Sequence, residues 1–199
     1  MYSISIQAGG QSTRMGSNKA LILFEGLPLV QRVLVRVRLL SEDVFVTTNS
    51  SDGFPDLGTA LYRDVYSEAC ALCGLITAFH YAQNDVVAVV ACDMPFIVPA
   101  LIAAECELLL NMGVDAVIPR TRNGLEPLLA AYRVSTCQPA ATEALKAGER
   151  RMISWFDSVK VREIGEDVIQ LFDPDMRSFI NINTLEDLHQ AQWMAKNFD

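Results

Sequence analysis

Hydrophobic and polar positions predict alternating strands and helices over residues 1–120. The segment SISIQ near the start alternates with period two, which predicts a strand that ends at Ala8-Gly9-Gly10. Apolar residues from Leu29 to Leu40 then recur at helical spacing, and Pro28 suits the first turn of that helix. Further along come VFVTT at 44–48 and ALYRD at 60–64, both predicted strands, and LCGLITAFHYA at 72–82, a predicted helix.

The segment VVAVVA at 86–91 is apolar on both faces, as expected of a buried central strand. Beyond it we predict strands at 115–119, 128–133 and 159–164, helices at 99–111 and 138–147, a short helical segment at 151–156, and a last helix from Thr184 to about residue 196. Alternating strands and helices imply parallel crossovers. The sequence therefore predicts a three-layer α/β/α Rossmann-like fold with a mostly parallel mixed sheet, and residues 1–199 form a single domain.

Composition narrows the classes of partner. Hydrophobic residues make up 51% of the chain and charged residues 20%, as in a globular protein. We expect no membrane partner, because no apolar run approaches the roughly 18 residues that a membrane helix needs. The first residues do not resemble a signal peptide, so we expect a cytoplasmic protein. The net charge of −8 argues against nucleic acid as a partner.

Five cysteines, an odd number, make a disulfide framework unexpected. Cys70 and Cys73 have C-x-x-C spacing, but a structural zinc site would need a second such pair, and thioredoxin-like motifs usually enclose polar residues. We interpret the pair as small buried side chains. A thiol redox or zinc protein stays open as an alternative.

The loop AGGQSTRMGSNK at 8–19 is the first candidate for ligand binding. Its glycines let backbone N–H groups approach an anion closely, and Arg14 and Lys19 supply positive charge. The spacing fits neither the P-loop of NTPases nor the Rossmann dinucleotide fingerprint. A purely structural loop remains the alternative, but the two cations favour phosphate binding.

Two further segments carry polar residues where strands end. Asp93 directly follows the predicted central strand, where a carboxylate can hold Mg²⁺ against phosphates; a turn-capping role is the alternative. Asn181 and Asn183 alternate with apolar neighbours, so their amides share one face of an extended segment. This favours a ligand contact, although Asn183 is also suited to a turn.

These motifs together resemble the MobA-type nucleotidyltransferases. The resemblance rests on five segments that occur in the family's order and span residue 6 to about 188: AGGQSTRMGSNK, CDMPF, GLEPLLAAY, AGERRMISWF and FININTLEDL. The family's G-P-L-x-G is here Cys70-Ala-Leu-Cys-Gly74, and Gln7 replaces the usual leucine.

The resemblance implies a GT-A-like nucleotidyltransferase that transfers GMP from GTP to Mo-molybdopterin and releases pyrophosphate, with Mg²⁺ as cofactor. It also implies transient contacts with cofactor-assembly proteins. By carry-over, the catalytic residues are Arg14, Lys19 and Asp93, and Asp93 is the metal ligand. Nucleotide binding falls on Gln7, Ala8, Gly9, Gly10, Lys19, Asn49, Asp64, Gly74 and Asp93, although Thr47 competes with Asn49 in the alignment. Acceptor binding falls on Arg150, Arg151, Asn181 and Asn183.

Two alternatives to this function remain at the level of sequence. The first is the same chemistry with CTP or with another phosphorylated acceptor. The second is a non-catalytic nucleotide-binding protein of the same fold, which the altered segment at 70–74 would support. The presence of both Lys19 and Asp93 favours a working transferase.

Overall fold

A computed structural model describes residues 1–9 and 18–198. Its strands are β1 (Ser3–Gln7), β2 (Leu23–Phe24), β3 (Leu27–Pro28), β4 (Val44–Thr48), β5 (Ala60–Arg63), β6 (Val86–Ala91), β7 (Ala116–Thr121), β8 (Gly124–Leu125), β9 (Leu129–Arg133) and β10 (Val161–Ile164). Its α-helices are α1 (Leu29–Val37), α2 (Ala71–Tyr81), α3 (Pro99–Met112), α4 (Val134–Lys146), α5 (Glu166–Ile169) and α6 (Leu185–Phe198).

One mixed sheet organises the molecule, in the order β10-β7-β9-β6-β1-β4-β5, with β8 paired to β7. β1 lies parallel to both of its neighbours, so that Ile6 faces Val46 of β4 and Val90 of β6. β9 is antiparallel to both β6 and β7. The predicted fold class is confirmed, and β6 is the central strand that its apolar sequence indicated.

Two apolar cores cover the two faces of the sheet. Because strand side chains alternate, β6 sends Val90 into the core that contains residues of α1 and α3, and Val89 into the core with α2 and α4. A third cluster packs α6 against Phe24, Phe96 and Ile182. Helices therefore lie on both faces, which gives the three predicted layers.

The last helix begins where its sequence indicates. The Thr184 hydroxyl accepts a hydrogen bond from the Asp187 amide at 3.1 Å, and the Asp187 carboxylate accepts from the amides of Asn183 and Thr184, each at 2.8 Å. This reciprocal arrangement satisfies amides that have no partner within the helix. It also fixes the backbone at Asn183.

Three local differences from the sequence prediction have physical causes. α4 begins at Val134 rather than at residue 138, because Asp85 accepts from the Val134 and Ser135 amides and satisfies the exposed start of the helix. Pro28 lies just before α1, where it ends a short hairpin of β2 and β3 that the sequence prediction lacked. The segment at 151–156 forms turns that lead into a short 3₁₀ helix, Phe156–Ser158, because its amides bond to carbonyls three residues back, as from Ser154 to Arg151, rather than four.

None of the described helices has the length and apolar character needed to cross a bilayer.

Candidate active site

A cleft of about 550 Å³ opens at the carboxyl ends of β1, β4, β5 and β6. Ligands of open α/β sheets bind at this edge, where strands lead into loops. The cleft brings together nine residues that the sequence predicted for the site: Gln7, Ala8, Gly9, Lys19, Asn49, Asp64, Gly74, Asp93 and Asn183.

At one end of the cleft, three polar side chains from distant parts of the chain meet. The Lys19 ammonium forms an ion pair with Asp93 and donates a hydrogen bond to Asn183 Oδ1 at 2.7 Å. The side chains of Lys19 and Asp93 are each only 19% exposed, so their attraction is less screened than that of a surface pair. This arrangement holds the lysine at the edge of the sheet.

Local hydrogen bonds set the positions of these three residues. Lys19 opens a single helical turn, Lys19–Leu21, which Asn18 caps by accepting from the Ala20 amide at 3.1 Å. Asp93 follows β6, and its carbonyl accepts from the Ile182 amide at 3.0 Å. That backbone bond brings Asn183 alongside Asp93.

One oxygen of Asp93 is available to a ligand. Asp93 Oδ2 is paired with Lys19, whereas Oδ1 is buried and has no hydrogen-bond partner among the described residues. A buried carboxylate oxygen without a partner is costly, unless a bound cation or donor satisfies it.

At the other end of the cleft, the backbone of Gly9 passes close to two neighbouring loops. A Cβ at Gly9 would lie 3.4 Å from the Asn49 amide nitrogen and 3.6 Å from Asp64 Oδ2. Burial raises the pKa of the Asp64 carboxyl, although a hydrogen bond with Thr77 opposes the shift. Thr47 is buried within β4 and does not line the cleft, whereas Asn49 does.

The Gln7 side chain links β1 to the first turn of α2. Its Nε2 donates to the Gly74 carbonyl at 2.9 Å. A Cβ at Gly74 would lie 2.6 Å from Gln7 Oε1, which is closer than nonbonded atoms approach. Gln7 therefore acts through its side chain on the wall of the cleft, which the sequence did not indicate.

The interpretation of Cys70 and Cys73 as separate buried thiols is wrong: the structure joins them by a disulfide. Cys70 caps α2 and Cys73 lies in its first turn, which places their Cα atoms 5.1 Å apart, within the range that a disulfide spans. Cys92, Cys106 and Cys137 are buried free thiols. Burial and the Asp93 charge raise the pKa of Cys92 to about 12.

Five predicted residues either lie outside the lining of this cleft or fall outside the described residues. Arg150 donates to Glu68 and to the Leu145 carbonyl and lies outside the cleft lining, as do Arg151 and Asn181. Their role in acceptor binding stays a prediction. Gly10 and Arg14 belong to residues outside those that the structure describes.

Eight lining residues were not predicted: Asn18, Ala20, Ala69, Cys70, Ala71, Ala91, Cys92 and Leu128. Most are small, so they shape the cleft through backbone and volume rather than charge. Ala91, Cys92 and Leu128 adjoin strand ends, and Ala69, Cys70 and Ala71 lie at the start of α2. Asn18 could have been found, because asparagine before a short helical turn is a favoured cap.

Comparison with known proteins decides the family. The model of the MobA-like NTP transferase domain matches residues 4–161. A probable molybdenum cofactor guanylyltransferase of Chloroflexus aggregans is 35% identical, over 96% of this chain and 94% of its own. A molybdenum cofactor guanylyltransferase of Desulfosudis oleivorans is 30% identical, over 96% and 94%.

The chain belongs to the MobA-like NTP transferase family. The fold agrees with this membership. The crystal structure of molybdopterin-guanine dinucleotide biosynthesis protein A from Archaeoglobus fulgidus superposes with a TM-score of 0.86 and 24% identity, covering 98% of this chain and 99% of its own. As a MobA-like NTP transferase, the chain is a nucleotidyltransferase, and the cleft at the carboxyl edge of its sheet is the candidate site for that chemistry.

Proposed function

We propose that this protein is a molybdenum cofactor guanylyltransferase, which joins GMP from GTP to the phosphate of Mo-molybdopterin and releases pyrophosphate. Relatives named as molybdenum cofactor guanylyltransferases or probable ones match 96% of the chain at 30–35% identity. The structural observation that carries the proposal is the meeting of Lys19, Asp93 and Asn183 in the cleft.

The charge of the cleft supports a role for Mg²⁺. Among the described residues that line it, Lys19 is the only cation, against the acids Asp64 and Asp93. A nucleoside triphosphate in such a cleft needs further positive charge. Arg14 is one candidate source by its place in the sequence, and a divalent cation is the other.

The residues fit Mg²⁺ that arrives with the nucleotide. Asp93 Oδ1 is an oxygen ligand without a partner in the described chain, and Mg²⁺ commonly binds one or two carboxylates together with substrate phosphates. No cluster of three metal-ligating side chains occurs among the described residues. Phosphate oxygens and water would therefore complete the coordination, and bound Mg²⁺ would supply charge neutralisation.

The chain itself contributes orientation and charge. An acceptor phosphate oxygen forms a new bond to the α-phosphorus of GTP while the bond to pyrophosphate breaks, so no covalent enzyme intermediate is needed. We propose that Lys19 stabilises the negative charge that develops on the phosphates. Asn183 holds the Lys19 ammonium in place. Backbone groups at Ala8 and Gly9 approach the nucleotide. Asn49 and Asp64 lie beside Gly9, and Gly74 lines the same cleft.

The remaining assignments are also part of the proposal. We propose that Arg150, Arg151 and Asn181 bind the molybdopterin acceptor. Asn181 lies two residues before Asn183 in the chain, whereas Arg150 lies beside the first turn of α2, where its carbonyl accepts from the Leu72 amide at 3.4 Å. We further propose that the enzyme works in the cytoplasm and makes transient contacts with the proteins that deliver molybdopterin.

Asp93→Asn tests the proposal most directly. The variant keeps the shape of the side chain but loses its charge and weakens the Lys19 pair. We expect Mg²⁺-dependent pyrophosphate release from GTP, with molybdopterin as acceptor, to fall about 100-fold or more, because a charged contact that stabilises the transition state is lost. Glu107→Gln, the same chemical change on the exposed surface of α3, should leave the rate unchanged.

The nucleotide and the acceptor are tested with the wild-type protein. Radiolabelled GTP and CTP are compared with molybdopterin present and absent. Incorporation from GTP alone, only with molybdopterin, supports the proposal. Incorporation only from CTP would assign the cleft to cytidylyl transfer, and tight GTP binding without turnover would indicate a nucleotide-binding protein that lacks catalysis.

A further inference from the structure

The Cys70–Cys73 disulfide lies on the wall of the nucleotide cleft. Cys70 lines the cleft and Gly74, one residue beyond Cys73, lines it too. Cys70 also caps α2: its sulfur accepts from the Cys73 amide at 3.0 Å and its carbonyl from the Gly74 amide at 3.1 Å. The disulfide and these two bonds all constrain the start of α2, which forms part of the cleft wall.

The two sulfurs differ in access. Cys73 is fully buried in the core beneath α2, whereas Cys70 is partly exposed at the start of the helix. A cysteine at a helix N-terminus has a stabilised thiolate, because the helix dipole and unpaired amides favour negative charge. An exposed first cysteine followed by a buried second is the arrangement that thiol–disulfide exchange uses.

We propose that Cys70 and Cys73 form a reversible thiol–disulfide modification site, and that the redox state of this pair sets the affinity of the cleft for nucleotide. The second half of the inference rests on the proposed function, because it concerns the same GTP site. The first half, reversible formation of the bond, does not depend on that function.

The exchange is a two-electron step with a dithiol as co-reactant. A thiolate of the dithiol attacks Cys70 Sγ, the bond between Cys70 and Cys73 breaks, and Cys73 leaves as a thiolate that takes up a proton. The second thiol of the reductant then attacks the mixed disulfide and releases Cys70, which is protonated in turn. The protein disulfide is reduced to two thiols and the dithiol is oxidised to a disulfide.

We expect reduction to move Cys70 Sγ into the cleft. Two sulfurs that are no longer bonded separate to about the 3.5–4.0 Å of ordinary nonbonded contact. The core encloses Cys73, so Cys70 Sγ is the atom that moves, and the open space beside it is the cleft. The first turn of α2 also loses its cross-link. We therefore expect the reduced protein to bind nucleotide more weakly.

The test compares oxidised and reduced wild-type protein. Titration of thiols in denaturant should find three after oxidation with glutathione disulfide and five after reduction with dithiothreitol. Calorimetry with GTP and Mg²⁺ should give a Kd about 5-fold or more higher for the reduced form. By linkage, saturating GTP should shift the equilibrium with dithiothreitol toward the disulfide by the same factor.

Variants separate the cross-link from the helix cap. Cys70→Ser keeps a good capping residue but cannot form the disulfide, so its Kd should match the reduced wild type under either treatment. Cys73→Ala should do the same without altering the lining of the cleft. Cys106→Ala removes a buried thiol in α3 and should retain the full response to oxidation.

Each outcome decides between the proposals. Five thiols after oxidation, or equal Kd values in a protein shown to hold the disulfide, would overturn the redox inference and leave the guanylyltransferase proposal intact. A Cys73→Ala variant that still responds to oxidation would also overturn it. No GTP binding in either form contradicts the guanylyltransferase proposal and the effect of the redox state on affinity, while the thiol counts still decide whether the bond forms reversibly.

Discussion

At Gly74 the first turn of α2 lies so close to the Gln7 side chain of β1 that an added Cβ would displace the Gln7 amide. The space that a Cβ would occupy lies 2.6 Å from Gln7 Oε1, and the same glutamine donates to the Gly74 carbonyl. The two residues therefore depend on each other: the glutamine bridges strand and helix only because residue 74 is glycine.

Gly74→Ala should lower the free energy of unfolding by about 1 kcal/mol, because the added methyl group displaces the Gln7 amide from its hydrogen bond to the Gly74 carbonyl, and this loss exceeds the gain from replacing a glycine within a helix. Urea denaturation measures this change. Gln7→Ala removes the obstructing side chain, so the double variant should lose less stability than the sum of the two single changes. Strict additivity would mean that the close contact has no energetic consequence.

Residue types and spacing in the sequence were enough to predict that Lys19 and Asp93 lie in one cleft, because a glycine-rich loop with cations and a carboxylate after the central strand both belong at the carboxyl edge of the sheet. They were not enough for Gln7, whose partner lies 67 residues away in the chain. The same limit applied to Cys70 and Cys73. Their spacing was visible, but whether they fell in the first turn of a helix depended on where α2 began.

On the scale of a single element, α3 carries a buried acid that the proposed chemistry does not use. Glu105 is fully buried, and neither of its carboxylate oxygens has a hydrogen-bond partner among the described residues. Burial raises the pKa of Glu105 well above the ordinary glutamate value of 4.5, so the folded chain holds this carboxyl protonated where the unfolded chain has released the proton. Stability should therefore fall as the pH rises above 4.5.

Glu105→Leu should raise the free energy of unfolding by about 1–3 kcal/mol at pH 7, because it removes unsatisfied polar atoms from the core. The gain should shrink as the pH is lowered toward 4.5 and stay at its smallest value below that, where both folded and unfolded wild-type chains are protonated. Denaturation at several pH values measures both effects. Glu105→Gln is neutral at every pH, so its free energy of unfolding should not show this pH dependence. Because it keeps polar atoms in the core, it should gain less stability than Glu105→Leu. A gain that does not vary with pH would contradict the raised pKa.

Elements were predictable where a single property decides them. β6 is apolar on both faces. At the start of α6, Thr184 and Asp187 have the three-residue spacing of a helix cap. The start of α4 was not predictable, because the group that satisfies its amides is Asp85, which precedes β6. Hydrogen bonds from a distant segment override local preference in such cases.

On the scale of the whole molecule, the cleft depends on a sheet that both cores share, and we propose that residues 1–199 unfold as one domain. GTP with Mg²⁺ should raise the Tm of one cooperative transition. At 100 times Kd the ligand contributes about 2.7 kcal/mol, which corresponds to several degrees for a chain of this size.

Mg²⁺ alone should leave the Tm nearly unchanged, because the described residues offer no cluster of three metal-ligating side chains. Scanning calorimetry distinguishes these cases. A large shift with Mg²⁺ alone would reveal a metal site that the described residues do not account for, and two separate transitions would contradict the single domain.

The chain order of the sheet has a consequence for synthesis of the protein. β9 is made after β6 and β7, yet it lies between them and is antiparallel to both. Until β9 emerges from the ribosome, β6 presents an unpaired edge, which is the kind of surface that recruits other chains. β9 is synthesised well after Lys19 and Asp93. The half of the sheet that positions these two residues therefore needs protection during translation until β9 is in place.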